Sequence, residues 1–310
     1  MMKKGFKNFW TSIIIVLLTV VVIDFVVGRT IHWMLPQISN QGDTGKTYFS
    51  LNDVNTPIVI VGSSRAAHHY VTQMVEDCFC MPAYNVGRDG CFFSYNCCVI
   101  NSILDRYVPK LIIWENGVDY LFEEDKDPLE NLYPYYDSNM WINQTIKEEL
   151  PWTEYIRLTS NLYLYNSVIH RIVSRYIGRD NFVDETIKGY SPLKPKTLKS
   201  PLVLETRSVR YQQVSETKAE RFRSVLARAK EKGVKMVVVD SPKYTFKKGK
   251  NYSKEKIQQL CEEYGVMFID NTQLPLFLEH AEYFNDLTHL NDEGAKVYTS
   301  FFLKQILGNK

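Results

Sequence analysis

The sequence predicts an α/β fold: a parallel sheet of about five strands covered by helices, preceded by a membrane-spanning helix. Three observations lead there. Short apolar runs recur at 58–61, 83–86, 111–114, 234–239 and 266–269, each nearly continuous rather than alternating. Strands buried on both faces read this way. The runs are separated by segments long enough for the crossover helix that parallel pairing requires. Finally, 9–27 is almost entirely apolar, about the length that crosses a bilayer as a helix.

Taken in order, Lys3, Lys4 and Lys7 precede that apolar stretch, and Asp24 lies near its far end, within reach of the interface. The basic flank places the N-terminus inside and the rest of the chain on the outer side of the cytoplasmic membrane, periplasmic or at the cell surface. No small-x-small site follows closely, which favours an uncleaved anchor over 1–28 against the competing signal peptide. Residues 29–56 read as a tether, because Pro36, Asn40, Gly42, Asp43 and Gly45 break any periodicity. The sheet-forming domain then runs over 57–310. Helix ends precede the third and fourth strands, at "RYVPK" and "AKEKG". An aromatic-rich insertion, 120–211, interrupts the sheet after the third strand; its middle is expected to be mostly helical and "GYSPLKPK" a loop. Packing for an extra helical layer is the first reading of this insertion, and a substrate platform the second.

A chain of 310 residues, 45% hydrophobic, can bury one sizeable core or one domain plus an insertion. With 37 basic and 35 acidic side chains the net charge is +2, which gives no argument for a nucleic-acid partner. Lys247, Lys248 and Lys250 are followed by Glu255 and read as a solvated loop. Six cysteines, five of them between 78 and 98, have no histidine or second CxxC group to complete a zinc pattern. Buried thiols, or one or two disulfides, are the expectation, with no metal and no cofactor.

Four pieces leave the carboxyl ends of the predicted strands, where open α/β sheets bind ligands. They are Gly62, Ser63 and Ser64; the stretch 85–90; the stretch 115–119; and "FNDLTHLNDEG" before the last helix. A serine hydroxyl becomes a nucleophile when a histidine takes its proton and a carboxylate orients that histidine. Asp286 and His289, three residues apart, supply the second and third parts. The N–H of Ser64 at a helix start, the N–H of Gly90 and the side chain of Asn116 are candidate oxyanion donors. Ser63, Arg88 and Ser241 are candidates to line the site. Arg65 either binds an anionic substrate group or pairs with Asp89 or Glu115. His68 and His69 fit an exposed helix face better than a metal site, with one of them a candidate for the rim of the site.

G-x-S after the first strand, N-x-G-x-x-G after the second and D-x-x-H near the end resemble the SGNH (GDSL-like) hydrolase superfamily. The resemblance covers about 57–307, apart from the insertion. It implies a flavodoxin-like three-layer α/β/α fold and metal-free esterase or acyltransferase activity. Ser64 would be the nucleophile, Gly90 the oxyanion glycine, Asp286 the acid and His289 the base. Divergent, membrane-anchored members acting on cell-envelope acyl groups are the looser match, making an acylated small molecule or glycan the expected substrate and envelope-assembly proteins the expected company. The third block departs from the family's G-x-N-D, since aligning Asp119 puts Val118 where asparagine belongs and leaves Asn116 out of register. That departure motivates the rival expectation of a catalytically inactive scaffold or glycan-binding subunit.

Overall fold

Every one of the five apolar runs becomes a strand, and the five join one parallel sheet. The computed structural model describes residues 2–117, 119–122, 127–179, 186–196, 198, 201–206 and 213–308. Val118 and the side chains of Lys3, Lys4 and Lys7 lie outside them, as does part of the insertion. The sheet strands are β1 (Ile58–Gly62), β2 (Ala83–Asn85), β3 (Leu111–Glu115), β5 (Lys235–Asp240) and β7 (Met267–Asp270), in the order β2-β1-β3-β5-β7. Two further strands, β4 (Val203–Thr206) and β6 (Thr245–Lys248), form a separate parallel pair that the sequence does not announce. Their exposed, mixed composition carries no burial period to read.

Helices α1 (Met2–Met34) and α2 (Gly42–Asn52) precede β1, α3 (Ser64–His69) and α4 (Thr72–Phe79) lie between β1 and β2, and α5 (Phe93–Arg106) joins β2 to β3. After β3 come α6 (Met140–Glu149), α7 (Trp152–Arg157) and α8 (Ile169–Tyr176), which lie within the insertion, although fewer than half of its described residues are helical. Helices α9 (Glu216–Glu231), α10 (Tyr252–Tyr264), α11 (Pro275–Leu278) and α12 (Asp292–Gly308) complete the chain.

Two compact units result. Phe49–Pro128 and Val183–Lys310 form the sheet-containing unit. All five positions of β1 and of β3 are buried, as their continuous apolar runs demand. Trp114 of β3 packs between Phe93 of α5 and Phe222 of α9, with centroids 6.0 and 5.1 Å away. Ile58, Ile60, Ile113, Val237 and Val239 share a core with Tyr298, Phe302 and Ile306 of α12. Registers Gly62↔Glu115 and Glu115↔Val239 bring the carboxyl ends of β1, β3 and β5 level at one edge.

Met1–Tyr48 and Leu129–Phe182 form the other unit. Here the expected tether is corrected. α1 runs on to Met34, a 3-10 turn follows at Leu35–Ile38, and α2 begins at Gly42. Leu35 and Ile38 are 1% and 2% exposed, so tertiary burial overrides the breakers at Pro36, Asn40 and Gly42. Pro36 sits at the start of a helical turn, where its missing N–H costs nothing. α1 holds a helix long and apolar enough to serve as membrane anchor or signal sequence, with mean hydropathy 2.6.

Candidate active site

The site is built at the edge where β1, β3 and β5 end. Gly62 closes β1 because any Cβ there would lie 2.7 Å from the Ala66 Cβ and 2.8 Å from the Glu115 carbonyl oxygen. The chain can therefore turn tightly into α3, whose first residue is Ser64. Ser64 Oγ stands 2.7 Å from His289 Nε2. On the other side of the ring, His289 Nδ1 is 2.9 Å from Asp286 Oδ2. A ring that donates its Nδ1–H to Asp286 leaves Nε2 free to accept from the serine hydroxyl. Residues 225 apart in sequence thus form one hydrogen-bonded chain.

The three-residue spacing of Asp286 and His289 has a local cause. Asp286 Oδ1 accepts from the backbone N–H groups of Thr288 and His289, at 2.8 and 2.9 Å, in an Asx-type turn. A bridge between Phe284 and Leu290 closes the turn. Partial burial raises the Asp286 pKa, but the bonds from His289 and Thr288 outweigh it and hold the carboxyl below its ordinary value. Asp286 therefore stays ionised beside His289.

The second loop is stapled to the first helix. Asn85 Nδ2 donates to Ala66 O at 2.7 Å, and its Oδ1 accepts from the Gly87 N–H at 2.9 Å. A Cβ on Gly87 would lie 2.6 Å from Ala67 N, so the loop packs against α3 only as glycine. Arg88 N–H donates to Gly62 O at 3.1 Å. Gly90 then adopts φ +67°, with no heavy atom within 4 Å of where a Cβ would point. Gly90 is itself exposed at this edge. Asn116, by contrast, is fully buried, and neither atom of its side-chain amide meets a partner.

Several sequence readings are resolved by packing. Ser63 is buried and its Oγ accepts from Tyr120 O–H at 3.1 Å, so its hydroxyl is engaged away from His289. Arg65 is buried too. It pairs with Glu115 Oε1 at 3.0 Å, with Asp240, and with Ser241 O at 3.2 Å. Asp89 is not its partner; that carboxylate meets His68 Nε2 at 3.2 Å. Arg88 is buried, with its guanidinium on Cys91 Sγ at 3.3 Å and 5.7 Å from the Tyr95 ring centroid.

His68 and His69 do not form an exposed helix face; they are 6% and 0% exposed. α3 packs against α12, β1 and β3, which covers the side that carries them. His68 Nδ1 donates to Ser191 O at 2.6 Å, and its ring centroid is 5.7 Å from that of His289. His69 Nδ1 is 2.7 Å from Ser241 Oγ, and its Nε2 accepts from the Leu290 N–H at 2.9 Å. Burial, then the nearby charge of Arg65, holds the His69 pKa well below its ordinary value. Only a neutral ring can accept in this way. His69 is the residue that sequence reasoning missed, and it anchors the backbone beside His289. We expect His69→Leu to slow reactions at Ser64 by about fivefold, the worth of one net hydrogen bond near 1 kcal/mol. His69→Gln, whose amide oxygen can reach the same N–H, should recover most of the rate. Pre-steady-state labelling of Ser64 at matched melting temperatures checks this.

All six cysteines are thiols, and Cys91, Cys97, Cys98 and Cys261 are buried. Among the described residues, no group of three or more His, Cys, Asp or Glu side chains could hold a metal ion. No family model matches the chain, and no curated protein matches it.

Proposed function

We propose that the chain is a membrane-anchored serine esterase or O-acyltransferase using Ser64, His289 and Asp286. The observation that carries this reading is the unbroken chain from Ser64 Oγ through both ring nitrogens of His289 to Asp286. Ser64 Oγ attacks the ester carbonyl carbon while its proton passes to His289 Nε2. The tetrahedral oxyanion forms beside the backbone N–H groups of Ser64 and Gly90. His289 then returns the proton to the leaving alcohol as the C–O bond breaks, leaving an acyl-Ser64. Water, or a second hydroxyl such as that of a sugar, attacks this ester with His289 again as base. Asp286 holds the productive tautomer throughout and faces the imidazolium formed at each step.

Support for an SGNH-type assignment comes from G-x-S, N-x-G-x-x-G and D-x-x-H falling at the ends of β1 and β2 and before α12. The strand order is that of doubly wound, flavodoxin-like sheets, and a three-layer α/β/α arrangement follows from it under this reading. The basic residues before the apolar stretch support a reading with the sheet-containing unit outside the cytoplasmic membrane. Acylated glycans or small molecules of the envelope are then the substrates within reach.

A fluorophosphonate probe tests the reading. Purified chain in detergent should be labelled, Ser64→Ala should not be, and Ser63→Ala should retain labelling. A folded wild-type chain that takes no label would favour the inactive scaffold or glycan-binding subunit. Label surviving Ser64→Ala but lost in Ser63→Ala would move the nucleophile.

A further inference from the structure

The unit formed by Met1–Tyr48 and Leu129–Phe182 carries a second apolar surface beside the anchor. At about 1.5 Å per residue, the 33 residues of α1 extend about 50 Å, against about 30 Å of bilayer hydrocarbon. Part of the helix therefore lies outside the hydrocarbon. Asp24 marks a level on it. Its Oδ2 accepts from Asn161 N and Asn161 Nδ2, at 2.8 and 3.3 Å, and its Oδ1 accepts from Leu162 N at 3.1 Å and from Ser160 Oγ. Rather than reaching a lipid headgroup, Asp24 is hydrogen-bonded to the 160–162 loop. One turn on, a Cβ at Gly28 would lie 2.4 Å from Asn161 Cβ, so the loop lies directly on the helix.

At that same level the rest of α1 is bare and apolar: Ile23, Phe25 and Val26 are 53%, 56% and 54% exposed. The loop is thus seated where the apolar band of α1 is still uncovered by protein. Beyond the loop the chain follows α1 toward its carboxyl end, with Tyr165 on His32 at 2.8 Å and Tyr176 5.6 Å from Trp33. α7 ends at Arg157, three residues before Ser160 of that loop. It buries none of its residues, and Trp152 and Ile156, one turn apart on a single face, are 67% and 60% exposed. The opposing polar groups are occupied within the unit, Glu154 by Arg157 and by Tyr163 O–H.

Reading α1 as a membrane anchor, we infer that Trp152 and Ile156 of α7 form a second membrane contact, seated in the headgroup–acyl boundary of the leaflet that α1 leaves. The occupant of this face is the lipid surface itself. A tryptophan beside an aliphatic side chain on a short surface helix is suited to that boundary, where an amphipathic ring is stable. The loop that follows α7 is itself held on α1 at the level of exposed Ile23, Phe25 and Val26, which lipid covers under this reading.

The test uses the full chain in phosphatidylcholine nanodiscs, with and without lipid brominated at the 6,7 positions of the acyl chain. Emission is compared among wild type, Trp10→Phe and Trp152→Phe. Trp10 reports on the anchor, and Trp152 on the proposed contact. Bromine-dependent quenching that falls in both variants is the expected result. Trp152 emission open to acrylamide and insensitive to brominated lipid would overturn the inference, and protection from both quenchers would assign the face to a protein partner. Absence of brominated-lipid quenching for Trp10 as well would instead overturn the anchor reading.

Discussion

His289→Gln is expected to slow acylation of Ser64 by about 10³-fold or more, the largest effect on activity of any single change outside the nucleophile. The variant keeps an amide near Ser64 but no group that can take a proton at neutral pH. The hydroxyl, 2.7 Å from Nε2 in the native chain, loses its base. Asp286→Asn should cost less, about 10²-fold or somewhat more, although the wrong tautomer alone can cost about 10⁴-fold in an enclosed triad. The reason is exposure: half of the Asp286 side chain is open to water, which can stabilise the imidazolium in place of the carboxylate. The asparagine oxygen can still accept from Thr288 and His289 N–H, so the turn should survive. Second-order rate constants for fluorophosphonate labelling give both numbers. Near-native rates in His289→Gln would end the acyl-enzyme reading.

Arg65→Met is expected to destabilise the sheet-containing unit by about 3–5 kcal/mol, the cost of leaving a buried ion-pair partner unpaired. Glu115 and Asp240 are both fully buried, and Arg65 pairs with both. Further donors to Glu115 are Tyr70 O–H and the Ser241 N–H, the latter 3.1 Å away. They are neutral and cannot replace a guanidinium. Adding Glu115→Gln and Asp240→Asn to Arg65→Met should recover much of the loss, because neither buried carboxylate is then left without its guanidinium. Lys243, 3.9 Å from Asp240, remains as a nearby cation. Urea unfolding midpoints measure the series.

The pH dependence has a definite sign. Burial raises the Glu115 pKa most, and Asp240 adds to that, against the opposing pull of Arg65 and Tyr70. A carboxyl raised in the folded state binds a proton more readily there than in the unfolded chain. Its contribution to stability falls as pH rises through the interval from its unfolded to its folded value. Without Arg65 the opposing charge is gone and that interval widens. The deficit of Arg65→Met relative to wild type should therefore grow toward neutral pH and shrink in acid. A deficit independent of pH would argue that Arg65 acts through packing alone.

Much of this architecture is legible from the chain because burial leaves a local imprint. Continuous β-branched and aliphatic runs at 58–61, 111–114 and 234–239 mark strands covered on both faces, and β1, β3 and β5 form there. The glycines of the first two loops are readable for a similar reason. Gly62 and Gly87 sit where backbone passes within contact of α3, and such approaches leave no room for a side chain. Ser64, Asp286 and His289 were found by residue type and order, and packing brings them into one hydrogen-bonded chain.

Other features have no local imprint. His68 and His69 carry the composition of an exposed polar turn, yet enclosure by α12 and the sheet buries both. Nothing near Arg65 in sequence favours Glu115 and Asp240 over Asp89. That choice follows from the register of β1, β3 and β5, which delivers two carboxylates to one edge. The breakers at 36–45 marked a tether by local rules, and burial of Leu35 and Ile38 made short helical turns of it.

By itself, then, the sequence determined the five strands of the main sheet, the apolar helix and the identity of the groups proposed to react, since each depends on a residue's own chemistry or on the period of its neighbours. Tertiary structure alone decided which groups touch: Ser64 with His289, His69 with the backbone of Leu290, Arg65 with its two acids, and Asp24 with the 160–162 loop. These partners lie more than 40 residues apart, and only chain crossovers, which local periodicity does not encode, bring them within bonding distance.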